Sequence, residues 1–397
     1  MTTAKSKLLL ILLSLGVYLL SAGIAYAVFT ASGSGTIFTS PLTDTANNPA
    51  EVNNNRKALI EITGSKSEVC PLNGAKFTKA EKNIWEIRRP LAVMIENHLE
   101  ARPQSGLSDA DIIYEVVAEG GITRFMALYY CQTAAYETTL GPVRSARTYY
   151  IDWASEYNLP LYVHVGGANT PGPANALGQL ESYDWSGAND LNQFSIGYPT
   201  FWRDYERLGR TVATEHTMYS TTEKLWAIAA KRGFTNLDPE KNNWLDDFTP
   251  WKFAQDEAGA GNQGAVQTIS YPFWEYADYD VSWQHDKDKN IYTRSNGGQP
   301  HQDLNTGQPL TAKNLVVQLA TERNANDGYE GNVHLLYGTI GKGKAYIFKD
   351  GQAIEGSWTK AKRLSRTIFY DAQGKEILFN PGKIWISVLP VGTKVTY

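Results

Sequence analysis

The chain has 397 residues, a formal net charge of −4 and only two cysteines. A slightly acidic balance gives no bulk attraction for nucleic acid, so we expect no nucleic-acid partner. Two cysteines exclude a disulfide-rich scaffold and a zinc site built from four thiolates.

The N-terminus predicts a location outside the cytoplasm. Lys5 and Lys7 precede an apolar span at residues 8–29, which is about the length that a helix needs to cross a bilayer. Because lysines favour the cytoplasmic side, we expect residues 1–29 to form a single transmembrane helix in the cell membrane, with the bulk of the chain extracytoplasmic. The alternative is a signal peptide cleaved at residues 25–27 (AYA), which would give a secreted protein.

Composition divides the rest of the chain into four segments. Residues 30–57 are rich in Ser, Thr, Asn and Gly and have no apolar periodicity, which predicts a flexible linker. The remainder is long for one core, so we expect two domains. We assign an α/β domain to residues 58–238, a polar connection to 239–264 and a β-rich domain to 265–397.

The first domain alternates apolar runs with helical patterns. Strands are predicted for short, largely apolar runs bounded by Gly and Pro, at residues 91–95, 112–117, 125–130 and 161–165. One helix is expected near residues 146–157. Another should begin after Ser220 as the N-cap, with Glu223 three residues later and Gly233 as the stop. Strands and helices in this order favour a mixed, partly parallel sheet with helices.

The second domain shows the alternation of apolar and polar residues that is typical of strands with one buried face. Turn signals separate these runs at residues 296–298 (NGG) and 371–374 (DAQG), and at Asp350-Gly351. Asp-Gly between alternating runs is a strong hairpin signal. We therefore predict a mostly antiparallel β domain.

Arginines at the ends of the first-domain strands are the best candidates for ligand binding. Arg124, Arg144 and Arg147 lie in turns rich in Gly. Guanidinium groups bind phosphate or carboxylate through paired hydrogen bonds and stay charged. We therefore predict an arginine-rich pocket for an anionic ligand. The alternative is that these arginines form internal salt bridges.

Acidic and histidine side chains accompany the arginines. Glu96, Asp111 and Glu119 are predicted to orient the guanidinium groups, and His164 is predicted to line the same pocket. Three histidines next to pocket elements could bind zinc, but their spacing matches no metal motif, so we assign no metal and no other cofactor. They are His98, His164 and His216.

No residue is assigned a catalytic role. The chain has neither the G-x-S-x-G pattern of serine hydrolases nor the G-x-x-x-x-G-K-[ST] pattern of a P-loop. In an oxidising compartment Cys70 and Cys131 could form a disulfide, and the alternative is two separately buried thiols.

Several motifs resemble one family, the YerB-type envelope proteins. They are residues 89–97 (RPLAVMIEN), 101–107 (ARPQSGL), 119–125 (EGGITRF), 141–147 (GPVRSAR) and 380–386 (NPGKIWI). The family consists of bacterial surface lipoproteins with an N-terminal and a C-terminal domain of unknown function. The resemblance implies the domain layout and an envelope location, but no reaction. The chain departs from the lipoprotein pattern at Gly23, where a lipid-accepting cysteine would stand.

Three functions are compatible with these observations. The first is a membrane-tethered envelope protein that binds an anionic cell-wall ligand through the arginines. The second is a transferase or hydrolase that acts on a pyrophosphate-linked cell-wall glycan, with Asp111 as a Mg²⁺ ligand or base. Arg124, Arg144 and Arg147, which follow Ala110-Asp111, are similar in kind to the arginines that the LytR-CpsA-Psr cell-wall transferases place after buried strands, which is an analogy without a shared contiguous motif. The third is a scaffold that docks other envelope proteins.

Overall fold

A computed structural model describes residues 56–255, 263–329 and 333–397. The predicted transmembrane helix or signal peptide at residues 1–29 lies outside the described residues, as does nearly all of the predicted linker at 30–57. Both therefore stay predictions. Within the described ranges, no helix combines the length and the apolar character needed to span a membrane.

The described helices are short. The α-helices are α1 Lys79–Trp85, α2 Thr148–Ala154, α3 Ala176–Ser182, α4 Gln193–Ile196 and α5 Thr222–Lys231. Single turns of 3₁₀ helix occur at Leu99–Ala101, Leu107–Asp109, Ser155–Tyr157, Thr214–His216 and Ala277–Tyr279.

Strands make up most of the regular structure. The first half contains β1 Lys57–Ala58, β2 Glu68–Val69, β3 Lys76–Phe77, β4 Leu91–Glu96, β5 Ile112–Glu119, β6 Ile122–Tyr129, β7 Tyr136–Glu137, β8 Thr139–Leu140, β9 Leu161–His164, β10 Asp190–Asn192, β11 Trp202–Arg203 and β12 Met218–Thr221. The second half contains β13 Thr268–Tyr271, β14 Val281–Asp286, β15 Ile291–Asn296, β16 Gln299–Pro300, β17 Thr311–Ala312, β18 Asn314–Ala320, β19 Glu322–Asn324, β20 Leu335–Tyr337, β21 Gly341–Lys349, β22 Gln352–Lys360, β23 Ile368–Asp371 and β24 Ile384–Pro390.

A ten-stranded sheet organises the described part of the chain, in the order β10-β9-β4-β6-β5-β24-β18-β21-β22-β23. Strands β10, β9 and β4 are parallel, whereas β6 runs antiparallel to both β4 and β5. From β18 to β23 the pairing is antiparallel throughout. The prediction of a mixed, partly parallel first sheet and a mostly antiparallel second part is therefore confirmed at this level.

The sheet passes from one half of the chain to the other without a break. Strand β24 pairs in parallel with β5 on one side and with β18 on the other. One contiguous apolar core includes residues of both halves, such as Ile113, Trp283 and Trp385. The predicted domains at 58–238 and 265–397 thus share a sheet and a core, and their sequence boundaries stay predictions.

Buried ion pairs also join the two halves. Arg294 Nη2 lies 2.8 Å from Glu115 Oε1, and neither side chain has measurable exposure. Lys360 Nζ lies 2.9 Å from Glu156 Oε1 in a second pair that is equally buried. A buried charge without its partner is costly, so each pair fixes one half against the other.

A smaller antiparallel sheet packs in the second half, in the order β13-β14-β15-β16, with β17 also pairing to β15. The hairpin predicted at Asp350-Gly351 is confirmed, since Lys349 pairs with Gln352. Both turn residues have positive φ angles, 53° and 63°. These angles belong to the primed turns, whose twist suits a two-residue hairpin.

Local capping corrects one prediction. The N-cap of α5 is Thr221, whose side chain accepts a hydrogen bond from the backbone N–H of Lys224 at 3.3 Å. Ser220, the predicted cap, instead donates its hydroxyl to the carbonyl of Thr200 at 2.9 Å. The prediction was wrong by one residue because both neighbours are hydroxyl residues, and sequence alone does not distinguish them. The other predicted helix is confirmed as α2 with the 3₁₀ turn that follows it.

Candidate functional site

A cavity of about 690 Å³ opens beside the carboxyl ends of the parallel strands β4, β9 and β10. This edge of a parallel sheet is the place where α/β folds bind their ligands. The cavity is polar on several sides. The lining residues that matter for its chemistry are Arg144, Gly166, Asn192, Phe194, Arg203 and Glu215.

Backbone hydrogen bonds place Arg144 at this edge. Its N–H donates to the carbonyl of Met94 in β4 at 2.9 Å, and its carbonyl accepts from the N–H of Val165 after β9 at 3.0 Å. Two residues later Ala146 N–H donates to the carbonyl of Gly166 at 2.9 Å. The turn at residues 141–147 is therefore held between two strand ends, and the side chain of Arg144 reaches the cavity.

The guanidinium of Arg144 is held at one end and open at the other. Its Nε lies 3.1 Å from Glu96 Oε1, and the side chain is 26% exposed. Neither Nη atom hydrogen-bonds to any residue in the described ranges. Glu96 therefore holds the Nε end of the Arg144 side chain, which lines the cavity.

The other carboxylate oxygen of Glu96 extends this arrangement. Oε2 lies 2.8 Å from Nδ1 of His216. Burial alone would raise the pKa of Glu96, but the hydrogen bond with His216 and the charge of Arg144 outweigh it, so that pKa is lowered. Burial would lower the pKa of His216, but the same hydrogen bond and the negative charge of Glu96 raise it.

Arg124 and Arg147 do not line the cavity, which corrects the prediction of one shared pocket. Both guanidinium groups pair with Glu119, Arg124 through Nη2 at 2.8 Å and Arg147 through its own Nη2. Arg124 also donates to the carbonyl of Ser145 at 3.0 Å. All three side chains are buried or nearly so. The alternative of internal salt bridges therefore describes these two arginines, and Glu119 orients them away from solvent.

Asp111 also lies elsewhere, beneath the disulfide. Its carboxylate accepts hydrogen bonds from the backbone N–H of Tyr130 at 2.7 Å and of Cys131 at 3.1 Å, and from Asn73 Nδ2 at 2.7 Å. Burial raises the pKa of Asp111 to about 7, although these backbone donors act in the opposite direction. Asp111 is fully buried and, among the described residues, hydrogen-bonds to no arginine. The predicted orienting role of Asp111 is wrong.

The predicted disulfide is confirmed, since Cys70 and Cys131 are bonded. Asp111 fixes the backbone at Cys131, so the carboxylate and the disulfide together tie the segment that precedes α1 to the end of β6.

His164 supports the cavity rather than lining it. Its Nε2 lies 2.6 Å from Asp190 Oδ1, and its Nδ1 lies 2.6 Å from the carbonyl of Gly166. The ring is fully buried. Because Gly166 lines the cavity, His164 fixes the wall from behind, which differs from the predicted direct contact.

Two lining residues are absent from the predicted ligand set. Phe194 is 76% exposed and packs over Gly166, where an added Cβ would meet its ring at 2.9 Å. Arg203 donates from Nη1 to the carbonyl of Thr214 and lines the same cavity. Phe194 lies in the short helix α4 and Arg203 in the two-residue strand β11, and the hydrophobic pattern predicts neither element. An exposed aromatic residue gives no signal in a single sequence.

The fold and site together define an α/β protein in which two sequence domains share one sheet, with a guanidinium-lined cavity at the edge of its parallel strands. Residues 77–235 match the family model described as "Protein of unknown function (DUF3048) N-terminal domain". Residues 269–386 match the corresponding C-terminal domain. The chain therefore belongs to the DUF3048 family, which confirms the resemblance to YerB-type proteins.

One relative and one solved structure show how far the similarity extends. YerB of Bacillus subtilis (strain 168), named as a candidate lipoprotein, is 32% identical over 336 residues, which are 84% of this chain and 90% of YerB. The crystal structure of YerB from Bacillus subtilis superposes with a TM-score of 0.65 at 27% sequence identity, covering 83% of this chain and all of the crystallised one.

Proposed function

We propose that this chain is an extracytoplasmic protein of the bacterial cell envelope that binds an anionic cell-wall ligand, phosphate- or carboxylate-bearing, in the cavity beside Arg144. The candidate-lipoprotein name of the YerB relative supports the envelope location. Residues 1–29 would hold the chain at the membrane, as their lysines and apolar length predict.

Arg144 carries the proposal. Its Nε is already engaged by Glu96, and the side chain lines a cavity large enough for a small ligand. Guanidinium groups in this state bind two oxygens of one phosphate or carboxylate at once. Arg203, on the same cavity, supplies a second positive charge.

Two further lining residues restrict the charge and the shape of a ligand that fits the cavity. Glu215 places a carboxylate on the cavity wall, which disfavours a bare polyanion that would fill the whole space. Phe194 offers an exposed ring for an apolar or sugar face. The best fit is therefore a ligand with one compact anionic group joined to an uncharged body.

The test is isothermal titration of the full chain with N-acetylglucosamine 1-phosphate and with acetyl-D-alanyl-D-alanine as probes. A charge-assisted pair contributes about 1.5–3 kcal/mol, so Arg144→Ala should weaken binding of the preferred probe by roughly tenfold to a hundredfold. Glu215→Gln should strengthen it, because a like charge is removed.

Arg323→Ala is the matched control. Arg323 is also exposed, but it lines a different cavity of about 640 Å³. It should leave the affinity unchanged. Equal affinity in wild type and Arg144→Ala, or equal losses in Arg144→Ala and Arg323→Ala, would reject the proposed site.

A further inference from the structure

Two histidines and a glutamate converge next to the cavity. His98, Glu100 and His216 each offer one ligand atom, and these atoms all lie within 4.8 Å of one another. His216 Nε2 is 3.5 Å from Glu100 Oε2. Two ligands bonded tetrahedrally to one zinc ion at 2.0–2.1 Å lie about 3.3 Å apart. The closest pair of the cluster therefore already has the separation that a shared ion requires.

Glu96 supplies the support that metal-binding histidines use. Its Oε2 lies 2.8 Å from His216 Nδ1, so the proton of the ring belongs on that nitrogen and Nε2 presents a lone pair toward Glu100. A carboxylate behind a histidine fixes the ring and raises its basicity as a ligand. Glu96 is itself held by Arg144 at 3.1 Å, so this orientation is locked from two sides.

Of the three residues, His98 is the one whose side chain has to change its orientation to bind an ion. Its ring is stacked on that of His216, with centroids 4.6 Å apart and planes within 5° of parallel. An ion bonded to both rings must lie in the plane of each, so His98 has to tilt out of the stack. The ring is half-exposed, and its hydrogen bond is a 3.2 Å contact from the backbone N–H of Glu100. An ion bound through Nδ1 of His98 would replace that contact.

We propose that His98, Glu100 and His216 bind a divalent transition-metal ion, with Zn²⁺ as the best match, and that Glu96 is the outer partner of His216. Two imidazoles and one carboxylate suit zinc, whereas calcium and magnesium prefer oxygen ligands alone. Three protein ligands leave a fourth position open to water or to a ligand. The site does not depend on anion binding in the cavity.

The test is titration of the purified full chain with ZnCl₂ after treatment with a chelator. We expect one equivalent to bind, with the affinity reduced at least tenfold in Glu100→Gln, His98→Gln and His216→Gln. Glu96→Gln should weaken binding by roughly 10–100-fold, the usual effect of removing an outer carboxylate. Cobalt bound in place of zinc should give the visible absorption of a tetrahedral ion.

His334→Gln is the control, because His334 pairs with Asp327 at 2.7 Å but belongs to no described cluster of three ligands. It should bind zinc as the wild type does. Glu100 and His98 are partly exposed, so their variants should fold, and circular dichroism checks this. Absence of zinc uptake by the folded wild type, or unchanged affinity in both Glu100→Gln and His98→Gln, would overturn the proposal. Loss of anion binding alone would not, since that result bears on Arg144.

Discussion

The buried ion pair between Glu115 and Arg294 should contribute strongly to the free energy of unfolding, because it joins the two halves of the chain. Glu115 accepts from Arg294 Nη2 at 2.8 Å, from Thr123 at 3.1 Å and from Trp385 at 3.1 Å. Arg294 also donates from Nε to His301 at 3.0 Å. Arg294→Met removes two of these contacts and leaves a carboxylate in the core with two neutral donors.

The expected loss follows from the burial of both partners. Removing one member of a fully buried ion pair costs about 3–5 kcal/mol, because the remaining charge is uncompensated. The comparison is Lys344→Met, since Lys344 and Glu355 pair at 2.7 Å but are 47% and 55% exposed. An exposed pair contributes about 0–1 kcal/mol. Urea unfolding at pH 7.5, followed by tryptophan fluorescence, measures both variants.

The pH dependence of the unfolding free energy provides a second test of the Glu115–Arg294 pair. Burial raises the pKa of Glu115 in the wild type even though Arg294 opposes the shift. Without Arg294 that pKa should rise further. A carboxyl group whose pKa is raised in the folded state favours the fold when it is protonated at low pH, and this contribution is lost as the pH increases. The loss of unfolding free energy caused by Arg294→Met should therefore be smaller at pH 5.5 than at pH 7.5. A loss below 1 kcal/mol, or a deficit that does not change with pH, would refute the reasoning.

Two further predictions concern stability. Cys70→Ser should lower the free energy of unfolding by about 4 kcal/mol, because the disulfide closes a loop with a sequence separation of 61 residues. Urea unfolding measures this loss, and an unchanged midpoint would contradict the prediction. Burial lowers the pKa of Lys383 from 10.5 to about 8, although Asp109 acts in the opposite direction. The wild type should therefore gain up to about 3 kcal/mol of stability as the pH rises from 8 to 10.5, and Lys383→Met should lack this gain. Parallel curves for the two proteins would count against this.

The elements that sequence predicted well are those with local signals. The strand at β4, the helix at α2 and the hairpin at Asp350-Gly351 follow from runs and turns within a dozen residues. The pairing of β24 with β5 has no such signal, because more than 260 residues separate them along the chain. The sequence therefore predicts two domains, which the two family models match, but it does not predict that they share one sheet.

In the candidate site, too, the contacts with local signals could be predicted and those made by the tertiary fold could not. Arg144 and Glu96 could be proposed because both follow apolar strands, and the structure brings them together. Glu119 and Arg124 flank the Gly120-Gly121 turn of one hairpin. Their proximity in sequence therefore indicates an ion pair, although we predicted that Arg124 would face a shared pocket. His98 and His216 approach only through the tertiary fold, and no spacing rule detects two ligands that are so distant in sequence.

Strand β24 ends seven residues before the last residue of the chain, yet it occupies the interior of the ten-stranded sheet. Until that segment has left the ribosome, and the export channel if the chain is secreted, β5 and β18 each present an unsatisfied edge. The sheet of the N-terminal half is therefore complete only once β24 has paired with β5. A stop codon just before Ile384 would remove a central strand of the sheet and leave β5 and β18 unpaired on that side.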